Sequence, residues 1–337
     1  MAVATQDSHT PQSFASAALC ALLLAALPQP LTHAAAADGA SAPMLDEVSV
    51  VGERPGPRLW KISKGEHVLW VLGTLDHVPK KMSWRSRQVE AALDQSQELL
   101  VTGPSIDAHI GPIMAVRLYV QWRGMQRDPD RTRLEDWISP SLYARFESLK
   151  TRFDPHDGRI EELRPPFAAL RLYQHALDTI GLTRSNEIEH AVVAMAGRHR
   201  VPIERPQVKV EDPLGTLKQV GALSPAAEVD CLAATIQRLE TDVPSMRERA
   251  IAWASGDVDR LRALPYPNQL EACITDLSAS PRVKQLVESA SAAWMTAAQS
   301  ALERHRVSFA VRPIYDLLSY DGPLERFRAQ GYRIEGP

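Results

Sequence analysis

"VLWVLGTLDHVPKKMSW", residues 68–84, is the stretch on which the fold turns. Its first half is a continuous apolar run, the pattern of a strand buried on both faces. Gly73 stops the run, and the loop that follows holds Asp76 and His77 side by side, ahead of Pro79 and two lysines. An acid and an imidazole just past a strand's carboxyl end occupy the place where open α/β sheets put their ligand sites. Upstream, "LWKI" (59–62) faces this strand across "SKGE", whose Gly65 suits a tight turn, so the pair reads as a β-hairpin. Downstream, Ser83 is placed to cap a helix from Trp84 to Gln97, with Val89 and Leu93 on its inner face. "ELLVTG" (98–103) is then a short strand.

Further along, Pro and Gly punctuate a mostly helical middle. The pattern predicts helices near 107–125, 140–152, 166–180 and 185–199, a brief β return at "VPIE" (201–204), and helices near 213–221, 224–240, 244–255 and 267–277. The clearest helix runs from Pro281 to Arg304, with Val283, Leu286, Val287, Ala290, Ala293, Trp294, Ala297 and Ala301 on one stripe. "VSFAVRPI" is a strand, "PLERFRAQ" a helix, and "GYRIE" a last strand after Gly331. Strands therefore cluster at the two ends and the centre of the chain. The expected class is α/β (α+β): one mixed β-sheet assembled from both ends of the chain, covered by many helices, in a single domain over 58–337.

The chain of 337 residues is 45% hydrophobic and 23% charged, the composition of a globular protein with a proper core. "LCALLLAAL" (19–27) is too short to span a bilayer, which takes ~20 residues. With the small residues of "THAAAADGA" behind it, residues 1–37 read as a secretory signal peptide, although no Lys or Arg precedes Leu19. Residues 38–57 form an Ala, Ser, Pro and Gly-rich lead-in. The expected location is periplasmic or secreted, or membrane-tethered if the signal is retained. The formal charge of −3 excludes nucleic acid or an anionic membrane as a partner drawn by net charge. The basic groups "GRHRV" and "ERHRV" sit near helix ends, where cations complement the helix dipole. Cys231 and Cys273 remain after processing. In an exported protein an even count points to a bridge, worth roughly 4 kcal/mol by the chain-entropy estimate, with two buried thiols as the alternative.

Several common motifs are missing: G-x-G-x-x-G at a helix start, G-x-x-x-x-G-K-[ST], H-E-x-x-H and G-x-S-x-G. "FDPHDGR" (153–159) gathers Asp154, His156 and Asp157, but its Pro and Gly mark a turn between helices rather than a metal site.

The opening "LWKISKGEHVLWVLGTLDHVPKKMSWRSRQVEAALDQSQELLV", then "ELRPPFAALRL", the Gly181–Leu182 turn, "VPIE", "AIAWASGDVDRL" and the ending "YDGPLERFRAQGYRIE" together resemble the TraB/GumN family, in order and spacing. The resemblance covers most of the chain after Leu59. It implies a mixed sheet with helices, related to the erythromycin-esterase-like and Tiki proteins. It further implies two G-x-x-H motifs at strand ends, an Arg–Asn pair on a late helix, and a glutamate on the central strand, the equipment of a metal-dependent peptidase. Here the first motif is Gly73-Thr74-Leu75-Asp76, with His77 one residue late. The second places Pro313 at the glycine and Asp316 at the histidine. The Arg–Asn pair falls on Ala290 and Ser291, and only Glu204 matches.

Three function classes follow. The first is an exported scaffold that has lost catalysis and binds an envelope peptide, glycan or protein, with no cofactor. The second is a metal-dependent hydrolase in which Asp76, His77, Glu204 and Asp316 hold Mn²⁺ or Mg²⁺, with Glu204 as ligand or general base; three carboxylates and one imidazole suit a hard ion. The third is a structural or assembly factor of the cell envelope.

Overall fold

A computed structural model describes residues 56–84, 86–108, 110–184, 186–265 and 281–337. The expected signal peptide, nearly all of the lead-in, the helix near 267–277 and Cys273 lie outside these residues.

The hairpin forms as its alternation and turn demand. Strands β1 (Leu59–Lys64) and β2 (His67–Thr74) pair antiparallel from Leu59↔Leu72 to Lys64↔His67. Gly65 makes the turn at φ +58°, a left-handed conformation that costs a residue without Cβ little. The next helix is shorter than its sequence pattern predicts. It is α1, Arg87–Asp94, with Ser86 rather than Ser83 at the N-cap position and Val89 and Leu93 fully buried. The intervening loop is committed elsewhere, as described below. Then come β3 (Leu99–Leu100), β4 (Ser105–Asp107), α2 (Pro112–Met125), α3 (Leu134–Trp137), α4 (Pro140–Phe153), α5 (Pro165–Thr179) and α6 (Glu187–His199). The centre returns through β5 (Ile203–Glu204) and β6 (Gln207–Lys209), followed by α7 (Pro213–Val220), α8 (Pro225–Thr241), α9 (Val243–Ser255) and α10 (Val258–Ala263). The chain finishes with α11 (Pro281–Arg304), β7 (Val307–Pro313), α12 (Ile314–Leu318), α13 (Pro323–Ala329) and β8 (Arg333–Glu335).

Six strands form one mixed sheet in the order β5-β3-β7-β2-β1-β8, so it is built from both ends and the centre of the chain. β2 lies between its hairpin partner and β7, with which it pairs parallel from Val68↔Val307 to Thr74↔Pro313. β3 and β5 run parallel to β7, so the carboxyl ends of four strands meet on one edge. A separate ribbon of β4 and β6, absent from the sequence reading, extends from that edge. It is short and mostly polar, and carries no alternation long enough to announce it.

Two apolar clusters hold the fold. One packs both faces of the sheet under α1, α6, α9, α11 and α13, around Leu69, Phe309, Trp253 and Trp294. The other is wholly helical, joining α3, α4, α5 and α8 around Phe146, Leu172, Leu232 and Ile236. The stripe on α11 is only partly used: Val283, Trp294 and Ala301 are buried, but Val287 is exposed. Basic residues at the ends of α6 and α11 are met by acids. His199 meets Asp94 at 2.8 Å, and Arg304 and His305 meet Glu98 at 3.1 and 3.0 Å. Among the described residues no helix is long and apolar enough to cross a membrane.

Candidate functional site

Both degenerate motifs arrive at the same place. Gly73 and Thr74 end β2 directly beside Arg312 and Pro313 at the end of β7. The backbones are close because Gly73 has no side chain: a Cβ there would lie 2.8 Å from Ile314 Cγ1, the first residue of α12. The Gly73 carbonyl accepts a 2.6 Å hydrogen bond from Trp253 Nε1, and buried Thr74 Oγ1 accepts one from Asn186 Nδ2 at 3.2 Å.

Beyond Thr74 the chain is pinned to the turn after α5. Val78 N donates to Thr183 Oγ1 (3.1 Å), Thr183 N donates to the Val78 carbonyl (2.8 Å), and Lys80 N donates to the Gly181 carbonyl (2.9 Å). Leu75 and Val78 point into the core, Asp76 is exposed, and His77 is held between. The His77 Nδ1 lies 3.0 Å from the Thr183 carbonyl, which can only accept. The Nδ1 therefore carries the proton, and Nε2 is left as the acceptor. Burial pushes the imidazole's pKa down. Asp76 and the Thr183 carbonyl pull it back, and Arg238 and Arg249 push it down further, leaving the net direction downward. His77 is thus a neutral imidazole at neutral pH, with its ring edge to face on Tyr173 at 5.5 Å.

The two arginines come from the helical middle, which the sequence reading passed over. Arg249 on α9 grips Asp242 in a bidentate pair at 2.8 and 2.6 Å, both side chains nearly fully buried. Arg238 on α8 lies 3.5 Å from the same carboxylate and 5.2 Å above the Tyr173 ring. Two guanidiniums therefore share one buried carboxylate beside His77. Leu75, Asp76, His77, Arg238, Met246 and Arg249 line a crevice of about 10 Å³, enough for a single water. Burial lifts the pKa of both neighbouring phenols, Tyr173 and Tyr315, to about 12.

Asp316 sits on α12, not on an extended strand end, and is paired with Arg312 at 3.0 Å, whose guanidinium lies 5.2 Å above Trp294. Its carboxyl pKa is raised, first by burial and then by the charge of Asp76, against the pull of Arg312. Asp76 and Asp316 are therefore electrostatic neighbours. Glu204 is not: it lies on the edge strand of the sheet, not a central one, level with Leu100, Ala310 and Val71 across the ladder. Three strand spacings put it about 14 Å from β2. Ala290 and Ser291, in the slots of the Arg–Asn pair, are half-buried on α11.

Among the described residues, one group of three His, Cys, Asp or Glu side chains brings ligand atoms within 4.8 Å of one another, and it is Asp154, Asp157 and His175. It lies at the turn after α4, where His175 pairs with Asp154 at 3.0 Å and Arg171 with Asp157. A guanidinium already inside the group makes it a clamp between α4 and α5. The residues 76, 77, 204 and 316 form no such three-donor group, and Arg238 and Arg249 line the crevice beside Asp76 and His77. A larger cleft of about 480 Å³ opens between β6, α7 and α11, lined by Gln207, Lys209, Thr216, Gln285 and Ser289.

The arginines left one trace in the sequence, charged residues at positions where α8 and α9 otherwise bury apolar side chains; helical periodicity alone does not say which face a partner covers. No curated protein and no solved structure matches the chain. The sequence profile of one family matches residues 58–336, hairpin to last strand, and on that match the chain belongs to the TraB/PrgY/gumN family.

Proposed function

We propose that this family member is exported and binds an envelope ligand at the carboxyl edge of its sheet without metal-dependent catalysis. The observation that carries the reading is the pair of guanidiniums, Arg238 and Arg249, beside neutral His77. Acids and guanidiniums stand side by side there, so the complementary ligand offers acceptors and donors together, as a peptide backbone or the hydroxyls of a glycan do. The cleft beside β6 has a volume within the usual range of ~300–1,000 Å³ for ligand sites. The test is the melting temperature of the chain, purified without chelator, then stripped and titrated with Mn²⁺, Mg²⁺ and Zn²⁺. A bound ion stabilises the native state by RT ln(1 + [L]/Kd), and no shift is expected. A stoichiometric ion, with a shift lost in Asp76→Ala and Asp316→Ala, would overturn the reading.

One observation favours the hydrolase instead. Asp76 raises the pKa of Asp316, and two carboxylates that repel one another are what a hard cation relieves. That second reading keeps Asp76, His77 and Asp316 and leaves Glu204 out. Export also carries the proposal that Cys231, buried on α8, bridges to Cys273. Intact mass with and without reduction and alkylation reads both signal cleavage and the bridge; two freely alkylated thiols would rule the bridge out.

A further inference from the structure

Helix α2 is furnished on one side and bare on the other. Leu118 and Met125 are buried on the face turned to α7, where Gly221 comes so close that a Cβ would lie 2.8 Å from Met125 Cγ. Trp122 packs edge to face on Phe167 at 5.3 Å. On the opposite face Ile113, Val116 and Val120 recur at helical spacing, 77%, 61% and 61% exposed, with Tyr119 beside them at 44%. Four of the nine large apolar side chains exposed among the described residues thus lie on this one helix. Scattered exposed apolar residues need no explanation, but a contiguous ridge does.

Charge says what covers it. Arg117 and Arg123 flank the ridge, both exposed, and neither forms an ion pair with another described residue. Residues 108–127 contain no carboxylate, and the remaining arginine, Arg127, is held by Glu162 at 2.9 Å. A second copy paired through this ridge would line up four guanidiniums with no acid on either helix to answer them. The ridge is also convex, a single helix of 14 residues about 21 Å long, which fits a planar interface rather than a groove. We infer that the outer face of α2 docks on an anionic phospholipid surface with the helix axis parallel to it. The three aliphatic side chains enter the headgroup boundary, the arginine stems lie along it with their guanidiniums on lipid phosphates, and Tyr119 sits at the water-facing margin. The chain's net charge of −3 provides no long-range attraction, so the contact is local.

The test is co-sedimentation of the full chain with vesicles of phosphatidylcholine alone or mixed with phosphatidylglycerol. Two double variants, Ile113→Ser with Val120→Ser and Arg117→Glu with Arg123→Glu, are compared with the parent after their melting temperatures are matched. Binding is expected only to the anionic vesicles, weakened about tenfold or more in either double variant and reduced by salt. No binding to anionic vesicles, or binding that both double variants leave unchanged, overturns the inference. A dimer in sedimentation velocity that Ile113→Ser with Val120→Ser dissolves also overturns it, in favour of a second copy.

Discussion

The helical layer and the sheet edge place buried charge differently. In the helical layer acids and bases are matched across elements. Lys150 and Arg133 close on Glu161, Arg164 at the start of α5 closes on Glu228 of α8, and His175 and Arg171 answer Asp154 and Asp157. At the sheet edge the charges crowd together: Arg238 and Arg249 both reach Asp242, Asp76 raises the pKa of Asp316 against the pull of Arg312, and an imidazole is kept neutral. Separate pairs fix how elements pack, whereas charges crowded at the end of a sheet are the arrangement found at functional sites.

The sharpest break of that contrast is Arg249→Ala. It strips Asp242 of its bidentate partner inside a site both side chains leave nearly dry, and a loss of about 3–5 kcal/mol in urea denaturation is expected. A cost near zero would mean Arg238 alone satisfies Asp242, and the two-for-one description of the edge would fall.

A smaller effect separates the two regions by the sign of their pH dependence. For Glu161, burial pushes the pKa up, but the hydrogen bond and charge of Lys150 outweigh it, and the folded value is lowered. Its contribution is present above the ordinary carboxyl value and is lost as pH falls through the folded one. Asp316 is raised, so the native state holds that proton more tightly, and stability falls as pH rises through its folded value. Glu161→Gln should therefore flatten the acid limb of stability against pH, and Asp316→Asn should steepen it. His77 adds a third window. Its folded pKa is depressed, so stability should decline as pH drops below 6.5, and His77→Gln should remove that decline. Equal slopes in parent and all three variants would erase the distinction. Smallest of all is Arg145→Ala, which breaks an exposed pair with Glu240 at 3.0 Å; about 0–1 kcal/mol, vanishing in salt, is expected from thermal melts.

Local pattern made the hairpin, the long helices and the three-part origin of the sheet legible, because each rests on alternation, helical spacing or turn chemistry within one segment. What escaped depends on partners far away in sequence. Ser83 is as good a cap as Ser86, but Val78 and Lys80 are bonded to the turn around Gly181, so the helix starts later. Asp316 follows an apolar run that reads as continuing strand, yet the chain turns into α12 over the bare backbone of Gly73. Arg238 and Arg249 lie only 4 and 7 residues from Asp242, but it is the fold that sets the three beside His77, far back in the chain. Glu204 matched the slot in which the family resemblance implies a glutamate on the central strand, and strand order, which a local match does not encode, set it at the sheet's edge.

The parallel pairing of β2 with β7 has a consequence for how the chain comes together. Residues 68–74 cannot complete their ladder until residues 307–313 exist, more than two thirds of the protein's length later. The helical cluster, drawn from residues 134–246, closes over far shorter stretches. The helical layer should therefore consolidate first, while the opening hairpin waits with an apolar edge uncovered. Such late, long-range strand insertion is slow and invites association with other unfinished chains, so the last thirty-odd residues act as the closing member of the sheet that the hairpin begins.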